Sequence, residues 1–462
     1  MKKSAFALAV VGAALAAGAT DIGRVIVRQQ WPWSTKINVD FELSGVSASA
    51  PADISLRCYN GAAEIPAATV DAALSGSRYA LTEGGTYTLT LDPTVLFPSG
   101  TKTVPDFRVT VAASAASEKS LEVLYKIVNL QSPYDVEDVT RARLLNGEMG
   151  AVETDYAALG AKYGATFSTS LEDVCIWTGV TNDVKYKSTH MVLRKIPAKG
   201  KTFKFLKGLT GANSKAGYDT SFTNDFYIGV FEVTQSQFLK IKGAKPAYGS
   251  FNETNSLYAA YRPADNLYWL NDLRGTEDNS KLWPGGDHTM VSGTSAQIVK
   301  LQNKIGLVFD LPTEAMWEFA CRAGTDTDLY TGQAYSAAAA AFIMRAKGVN
   351  APNSTATAAG NCDLTSGPNI VGSYAPNAYG LYDMLGNVCE MCLDRHDGTI
   401  PTGGVDPRGV DTPQTSTDNY RVHRGGAYLT DKPLCYSRYR DHQTYNTRYA
   451  GYRVCLYPDF SL

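Results

Sequence analysis

The stretch NAYGLYDMLGNVCE, residues 377–390, constrains the fold of this sequence more than any other segment. Its last eight residues place an amide and a glycine between two carboxylates, Asp383 and Glu390, in a turn-like run. Hard cations such as Ca²⁺ bind about six to eight oxygens, which come from carboxylates and backbone carbonyls. The run can therefore donate several ligands to one cation. A purely structural turn held by its own Asp and Asn side chains explains the same residues.

The residues around this stretch, from about Thr189 onward, predict a loop-rich mixed α/β domain because long periodic segments are few. Three helix starts are readable there. Capping boxes begin at Thr234 and Thr294, each with a glutamine three residues later. Thr313 can cap a third helix, which ends near Gly324. The rest of the region predicts short strands and ordered loops.

The chain before this region divides into two parts. Residues 20–113 predict an all-β sandwich, Ig-like or fibronectin-like, because short alternating runs such as 37–43 are separated by Gly, Pro and Ser clusters. Residues 114–188 predict a linker or connecting region, which either joins the two domains or completes the second. The predicted fold class is thus α+β, with the sandwich followed by the mixed domain at 189–462.

The first residues predict a secretory signal peptide over residues 1–19. Two lysines precede an apolar run at 5–17, and Ala17-Gly18-Ala19 offers the small residues that a signal peptidase recognises. The run is shorter than the roughly 20 residues that a membrane span needs. We expect cleavage near Ala19 and an exported protein, periplasmic or extracellular, with no membrane span and with cysteines accessible to oxidation.

Composition and motifs exclude several function classes. The 43 basic and 45 acidic residues give a net charge of −2, which argues against a nucleic-acid partner. The sequence contains no GxGxxG, GxxxxGK[ST], HExxH or GxSxG motif, and its five histidines are scattered without metal-ligand spacing. A zinc enzyme or a histidine-based hydrolase is therefore poorly supported.

The eight cysteines include one CxxC, formed by Cys389 and Cys392. This spacing can serve redox exchange or metal binding. A second CxxC is missing from the sequence, and a βαβ context is not evident around the first. Structural or partly disulfide-bonded cysteines are the favoured interpretation.

At this point the second half resembles the formylglycine-generating enzyme, or sulfatase-modifying factor, family over about residues 189–457. The family's fold is related to C-type lectins, which agrees with the scarcity of long helices. The residues before 189 lie outside the resemblance. The resembling segments occur in order at 191–197, 226–234, 262–263 with Trp269, 311–324, 377–388, 424–426 and 451–453.

The resemblance implies a structural Ca²⁺ site in the stretch quoted first. Its ligands would be the side chains of Asp383 and Glu390 and the backbone carbonyls of Gly386 and Val388. All four groups are oxygen donors of the kind that calcium binds.

For catalysis the resemblance implies a broken site. Oxygen-dependent members of the family bind copper with two cysteines and oxidise a sulfatase cysteine to formylglycine. The second of those cysteines matches Cys435, whereas the first falls on Thr430. A family serine falls on Ala427 and a family tryptophan on Cys389. A soft copper ion needs two thiolates, so we expect copper to be absent and the activity to be changed or lost.

Three functions remain open. The first is a binding or interaction protein whose ligand is a protein, a peptide or a glycan. The second is a formylglycine-generating oxidase that acts on a sulfatase through Cys435 alone or with Cys389 as a substitute thiol. The third is an iron-dependent oxidation on the same scaffold, which needs a histidine cluster that the sequence does not show.

Overall fold

The computed structural model describes residues 20–29, 34–98, 106–208, 216–244, 259–274, 296–346, 367–396, 402–408, 421–428, 430, 435–443 and 449–461. The chain forms two compact units. The first contains residues 1–123 with 139–151, and the second contains residues 124–138 with 152–462. The predicted signal peptide lies outside the described residues. No helix in the described part of the chain combines the length and the apolar character that a membrane crossing requires.

The first unit is built on two antiparallel sheets around an apolar core, as the alternating runs predicted. One sheet has the strand order β1-β2-β6-β5 and the other β4-β3-β7, with four short helices between or after them. On β2, Val39, Phe41 and Leu43 face the core, and their neighbours along the strand are more exposed. The elements are β1 (Asp21–Gln29), β2 (Ile37–Ser44), β3 (Ala52–Asn60), β4 (Ala63–Glu64), α1 (Ala67–Ala73), β5 (Leu74–Ser75), β6 (Gly85–Leu91), α2 (Pro93–Leu96), β7 (Phe107–Ala115), α3 (Glu118–Leu121) and α4 (Arg141–Leu145).

The second unit is a loop-rich mixed α/β structure. Its largest sheet has the order β14-β20-β13-β10-β8-β9. A smaller sheet has the order β18-β17-β15-β19 and contains Cys389, Glu390 and Arg424. Short 3₁₀ or π turns cover residues 178–181, 184–187, 259–261 and 269–273. The elements are β8 (Val123–Asn129), β9 (Val136–Thr140), α5 (Tyr156–Lys162), β10 (His190–Ile196), β11 (Thr202–Phe205), β12 (Tyr218–Ser221), β13 (Phe226–Gly229), α6 (Gln235–Lys242), α7 (Gln297–Ile305), β14 (Leu307–Asp310), α8 (Glu314–Arg322), α9 (Ala337–Ala340), β15 (Cys389–Arg395), β16 (Gly404–Val405), β17 (Arg421–Arg424), β18 (Arg440–Gln443), β19 (Ala450–Gly451) and β20 (Cys455–Ser461).

Residues 114–188, predicted as a connecting region, contribute regular elements to both units. β8 pairs with β10 in the largest sheet of the second unit, and its apolar residues are buried on both faces of that sheet. The hydroxyl of Tyr125 on β8 accepts a hydrogen bond from the backbone N–H of Trp177 (3.0 Å). Within this segment, residues 124–138 and 152–188 belong to the second unit, whereas residues 114–123 and 139–151 belong to the first.

Two of the three predicted helix starts have the expected caps. Thr234 and Gln237 form the capping box of α6 through bonds of 3.2 and 3.0 Å, and Thr313 caps α8 by accepting from the Met316 N–H. The third differs. α7 begins two residues later than the box at Thr294 predicts, after Ala296, whose methyl group cannot accept a hydrogen bond. Thr294 itself lies outside the described residues.

Candidate functional site

Glu390 occupies the centre of the second unit, where it is buried at 1% exposure near the start of β15. Its Oε1 accepts a hydrogen bond from Arg453 Nε, and its Oε2 accepts one from Trp317 Nε1, both at 2.7 Å. Arg453 is itself buried and also donates to the carbonyls of Gly229 and Val230 at 3.1 and 2.9 Å. The ion pair is thus desolvated but fully engaged in charge-assisted hydrogen bonds.

Two more buried carboxyls flank this pair, and we call the group of Glu232, Asp383, Glu390 and Arg453 the carboxylate centre. Glu232 accepts from the Val388 N–H at 3.1 Å and from Asn387 Nδ2 at 2.6 Å. Burial, with the charges of Asp383 and Glu390, raises the pKa of Glu232 well above its ordinary range. Glu232 therefore fastens the 387–388 turn to the segment that follows β13.

Asp383 is the member of the centre with an unused oxygen. Its Oδ2 accepts from the Gly372 N–H at 2.6 Å, whereas its Oδ1 is buried and receives no hydrogen bond from any residue that the structure describes. Burial raises the pKa of Asp383 to about 6, against the opposing effects of the Gly372 N–H, Arg453 and Lys187. A buried carboxylate oxygen without a donor is costly, and a cation beside it would remove that cost.

Gly386 allows the turn between Asp383 and Glu390 to approach other backbone closely. It has φ +78°, and a Cβ at this position would collide with the carbonyl of Arg345. The next residue, Asn387, donates its N–H to that same carbonyl at 2.8 Å. The turn is consequently fixed by main-chain contacts that only glycine permits.

The four predicted calcium ligands therefore lie in one buried turn and the strand that follows it. Asp383 Oδ1 is available as a ligand, because it is a buried oxygen that receives no hydrogen bond from the described residues, whereas both oxygens of Glu390 already accept from Arg453 and Trp317. In the described ranges, no three histidine, cysteine or acidic side chains converge as a metal site. A calcium ion here would need the carbonyls of Gly386 and Val388, as the resemblance implies.

The predicted catalytic positions, Thr430 and Cys435, meet at the backbone amide of Ala427. The Ala427 N–H donates to Thr430 Oγ1 at 2.9 Å, and Thr430 donates its own N–H back to the Ala427 carbonyl at 2.9 Å. The buried Cys435 thiol lies near the Ala427 N–H, whose dipole acts to lower the pKa of the thiol. We call Ala427, Thr430 and Cys435 the thiol site. Its hydroxyl and its thiol lie near the same backbone N–H, and the hydroxyl accepts the hydrogen bond from it.

Burial controls the chemistry of Cys435. The side chain is fully buried, and a Cβ on Gly426 would lie 2.5 Å from its sulfur. Burial raises the pKa of the thiol to about 12, and the bond from Ala427 only opposes that rise. Cys435 is consequently a protonated thiol at neutral pH, whereas nucleophilic attack and metal ligation need the thiolate.

A buried ion network holds the segment that leads into the thiol site. Arg424 at the end of β17 donates to Glu318 Oε2 at 2.5 Å and to Glu314 Oε1 at 3.3 Å, both on α8. Arg440 on β18 also donates to Glu314 at 2.9 Å. The network connects β17, β18 and α8, so the backbone at 425–427 has a rigid support.

The CxxC lies on β15, where residues three apart point to opposite faces of the sheet. Cys389 Sγ is 3.7 Å from His423 Nδ1 on the neighbouring strand β17. Cys58, Cys321, Cys389, Cys392, Cys435 and Cys455 are free and buried, which favours the structural rather than the disulfide-bonded alternative for these six cysteines. Cys389 and Cys435 in particular are not bonded to each other.

Sequence reasoning missed the roles of four residues: Glu232, Arg453, Lys187 and His423. Glu232 and Arg453 lie in segments that carried the resemblance, but only the fold brings them to Glu390. Lys187 precedes those segments and has no motif of its own. His423 meets Cys389 only through the register of two strands, in which Met391 pairs with His423.

Comparison with known proteins identifies the family. Residues 198–456 match the sulfatase-modifying factor enzyme 1-like domain. A formylglycine-generating enzyme of Thermomonospora curvata is 34% identical over 157 residues, which are 33% of this chain and 45% of that protein. The chaperone protein LppX of Paenibacillus barcinonensis is 26% identical over 249 residues, which are 47% of this chain and 75% of that protein. The chain spans less than half the length of the formylglycine-generating enzymes that it matches.

Among solved structures, Treponema denticola variable protein 1 superposes with a TM-score of 0.42 at 22% identity, covering 59% of this chain and 96% of that one. The family match carries the assignment, since it extends over more than half of the 462 residues. This protein belongs to the sulfatase-modifying factor enzyme 1-like family.

Proposed function

We propose that this protein is an exported binding or interaction protein, in which the family scaffold is kept and the copper-dependent oxidation of cysteine is lost. One observation carries the proposal. The two positions that would hold a copper-binding thiol pair contain Thr430, whose hydroxyl accepts from the Ala427 N–H, and a buried, protonated Cys435. A hydroxyl is a hard ligand and cannot replace a thiolate for Cu(I).

The ligand class follows from the scaffold and from one relative. A protein, peptide or glycan would bind the second unit without being oxidised. The similarity to a protein named as a chaperone, over three quarters of its length, supports a protein or peptide ligand. The alternative is a formylglycine-generating oxidase acting on a sulfatase, as the names of other relatives suggest.

The deciding experiment is a Cu(I) titration combined with oxidation of a sulfatase-derived cysteine peptide. We expect the unmodified protein to bind Cu(I) weakly and to leave the peptide unchanged. Thr430→Cys with Ala427→Ser should raise Cu(I) affinity by orders of magnitude, because it restores two thiols. Adding Cys435→Ser to that variant is the matched control and should abolish the gain. Peptide oxidation by the unmodified protein would establish the oxidase instead.

We also propose a structural Ca²⁺ at the carboxylate centre, held by Asp383 and Glu390 with the carbonyls of Gly386 and Val388. Bound calcium would supply positive charge beside Asp383 Oδ1, which receives no hydrogen bond from the described residues. Chelator should lower the Tm by several degrees, and Asp383→Ala should remove that response. Purified protein without calcium and without a response to chelator would disprove the site.

Export is the remaining part of the proposal. The apolar run at 5–17 and the Ala17-Gly18-Ala19 sequence support it. Expression with the native N-terminus should yield a mature chain that begins at Thr20 outside the cytoplasm, as read by N-terminal sequencing. Recovery of the intact chain in the cytoplasmic fraction would contradict it.

A further inference from the structure

Strand β7 (Phe107–Ala115) forms a free edge of its sheet in the first unit. It pairs with β3 over all nine of its residues, and β4 lies on the far side of β3. An edge strand presents unpaired backbone N–H and C=O groups that can pair with another chain, so natural proteins usually shorten, bulge or charge such edges. In the sheets that the structure describes, every other edge strand except β1 has five residues or fewer.

The two long edges, β1 and β7, differ in their protection against pairing. β1 contains a bulge near its start and carries two exposed arginines, Arg24 and Arg28. β7 contains no proline, and its register with β3 is regular throughout. The charge of its one ionisable residue, Arg108, is directed toward β3, since the guanidinium donates to the Gly61 carbonyl at 2.7 Å and lies over the ring of Tyr59. β7 is therefore a long edge without the usual protection.

The backbone groups at the free edge of β7 can be assigned from the hydrogen bonds of β3. Ala52 on β3 exchanges two hydrogen bonds with Leu81 (3.0 and 2.8 Å), so its pair with Ala115 is not hydrogen-bonded. One position further, the Ala116 N–H donates to the Pro51 carbonyl at 2.9 Å. Hydrogen-bonded pairs alternate along an antiparallel ladder, so residues 107, 109, 111, 113 and 115 direct their N–H and C=O groups away from β3. None of these groups has a backbone hydrogen-bond partner among the described residues.

The side chains of the same five residues change from large to small along β7. Phe107 and Val109 are buried in the core of the first unit, Val111 and Ala113 are only partly buried against it, and Ala115 is exposed. If a second copy of β7 pairs antiparallel about Val111, Phe107 lies opposite Ala115 of that copy. Val109 then lies opposite Ala113 of that copy. Each large side chain thus faces a small one, and such directly opposed pairs are the contacts that stabilise a sheet.

The solvent side of β7 is compatible with the same register. Arg108 would lie opposite Ser114 of the second copy, and Thr110 would lie opposite Ala112 of that copy. Like charges directly opposite each other destabilise a strand pair, and this register contains none. The sequence of β7 is therefore complementary to itself on both faces.

We propose that β7 is a dimerisation edge, which pairs antiparallel with β7 of a second copy of this chain about a two-fold axis at Val111. The pairing joins the β4-β3-β7 sheets of the two copies into one continuous sheet. It also satisfies the free backbone groups of β7 and covers the apolar side chains that β7 leaves partly exposed. A two-fold interface requires a surface that is complementary to itself, and β7 meets that requirement.

A disulfide that forms in only one register tests the pairing in the full chain. The Cα atoms of a hydrogen-bonded antiparallel pair are about 5.5 Å apart, a distance that a disulfide can span. Val111→Cys should therefore give a covalent dimer with oxidised glutathione, as read by non-reducing electrophoresis. Ala113→Cys is the matched control. Its two cysteines would lie about 14 Å apart along the paired strands, so it should remain a monomer on the gel.

Sedimentation equilibrium measures the association without a crosslink. The unmodified protein should form a dimer that dissociates on dilution. Val111→Pro should shift this equilibrium to the monomer, because proline removes an N–H that faces the second copy and leaves the bonds between β7 and β3 in place. Val111→Ala keeps that N–H and should remain dimeric. Circular dichroism establishes whether both variants are folded.

Each result decides the proposal. A protein that is monomeric at every concentration would overturn it, and so would a dimer that a folded Val111→Pro variant leaves unchanged. Crosslinking of Ala113→Cys as efficiently as Val111→Cys would exclude the register about Val111. If Val111→Pro does not fold, the comparison of the two cysteine variants decides alone, since neither of them removes a backbone hydrogen bond.

Discussion

The carboxylate centre and the thiol site lie in the same unit, but they differ in how their residues are constrained. At the carboxylate centre, Glu390 is held by Arg453 and Trp317, and both of its oxygens have a donor. At the thiol site, the hydroxyl of Thr430 accepts from the Ala427 N–H, and the buried thiol of Cys435 lies near the same N–H without a charged partner. The carboxylate centre depends on a particular pair of opposite charges. The thiol site contains neutral groups, one of which can be exchanged for another of similar size.

The difference has a physical cause. Removing one partner of a buried ion pair leaves an uncompensated charge, which costs several kcal/mol. Exchanging a thiol for a hydroxyl leaves a neutral group that can still accept a hydrogen bond. We therefore expect the scaffold to tolerate an exchange of thiol and hydroxyl at the thiol site better than the loss of Arg453. Four predictions test this comparison.

Arg453→Met should have the largest effect, a loss of about 3–5 kcal/mol in the free energy of unfolding, because Glu390 would be buried without its partner. Urea denaturation measures it. Arg28→Met is the control for an exposed pair, since Arg28 bonds Asp40 at 2.6 Å on the surface of the first unit and should lose at most about 1 kcal/mol. A similar small loss for Arg453→Met would mean that the buried pair contributes little.

Asp265 extends the comparison to a buried carboxyl group whose charge is less well compensated than that of Glu390. It is 4% exposed, its Oδ1 receives no hydrogen bond from the residues described, and burial raises its pKa from 3.8 to about 7. Because the folded state holds this proton more tightly than the unfolded state, stability is greatest below about pH 4 and falls as pH rises toward 7. At about 1.4 kcal/mol per pKa unit, the loss relative to Asp265→Asn should reach up to about 4 kcal/mol. Parallel pH profiles of the two proteins would refute this.

Glycine substitutions compare the backbone of the two regions. Gly386→Ala at φ +78° forces a methyl group against the main chain of Arg345, which cannot rotate away. Gly426→Ala at φ +71° meets mainly the side chain of Cys435. With the left-handed strain included, we expect losses of about 2–3 kcal/mol for Gly386→Ala and roughly half of that for Gly426→Ala. Adding Cys435→Ala should restore part of the stability lost in Gly426→Ala and none of that lost in Gly386→Ala. Equal losses for the two glycine variants would contradict the prediction.

Thr430→Val should have the smallest effect, about 1 kcal/mol, because it removes the acceptor of one hydrogen bond from the Ala427 N–H. Thr430→Ser keeps the hydroxyl and should be close to neutral. Thermal unfolding of the three proteins measures the difference. A loss above about 3 kcal/mol would show that the thiol site is as constrained as the carboxylate centre.

Much of the fold could be predicted from sequence because it depends on local patterns. The alternation of apolar and polar residues at 37–43 predicted β2, and the capping residues Thr234 and Thr313 predicted the starts of α6 and α8. The capping box predicted at Thr294 was wrong, because α7 begins after Ala296. Residues 114–188 could not be placed, because the partner of β8 is β10, about sixty residues further along the chain.

The sequence by itself determined the family and the order of the segments that resemble it. These depend only on residue identity and spacing. The tertiary structure alone decided that Arg453 and Trp317 bind Glu390 and that Cys435 is too buried to ionise at neutral pH. The two contacts of Glu390 join residues 63 and 73 positions apart in the sequence (453 − 390 and 390 − 317). Their energies come from burial and from the distance between charges, and both are properties of the folded chain.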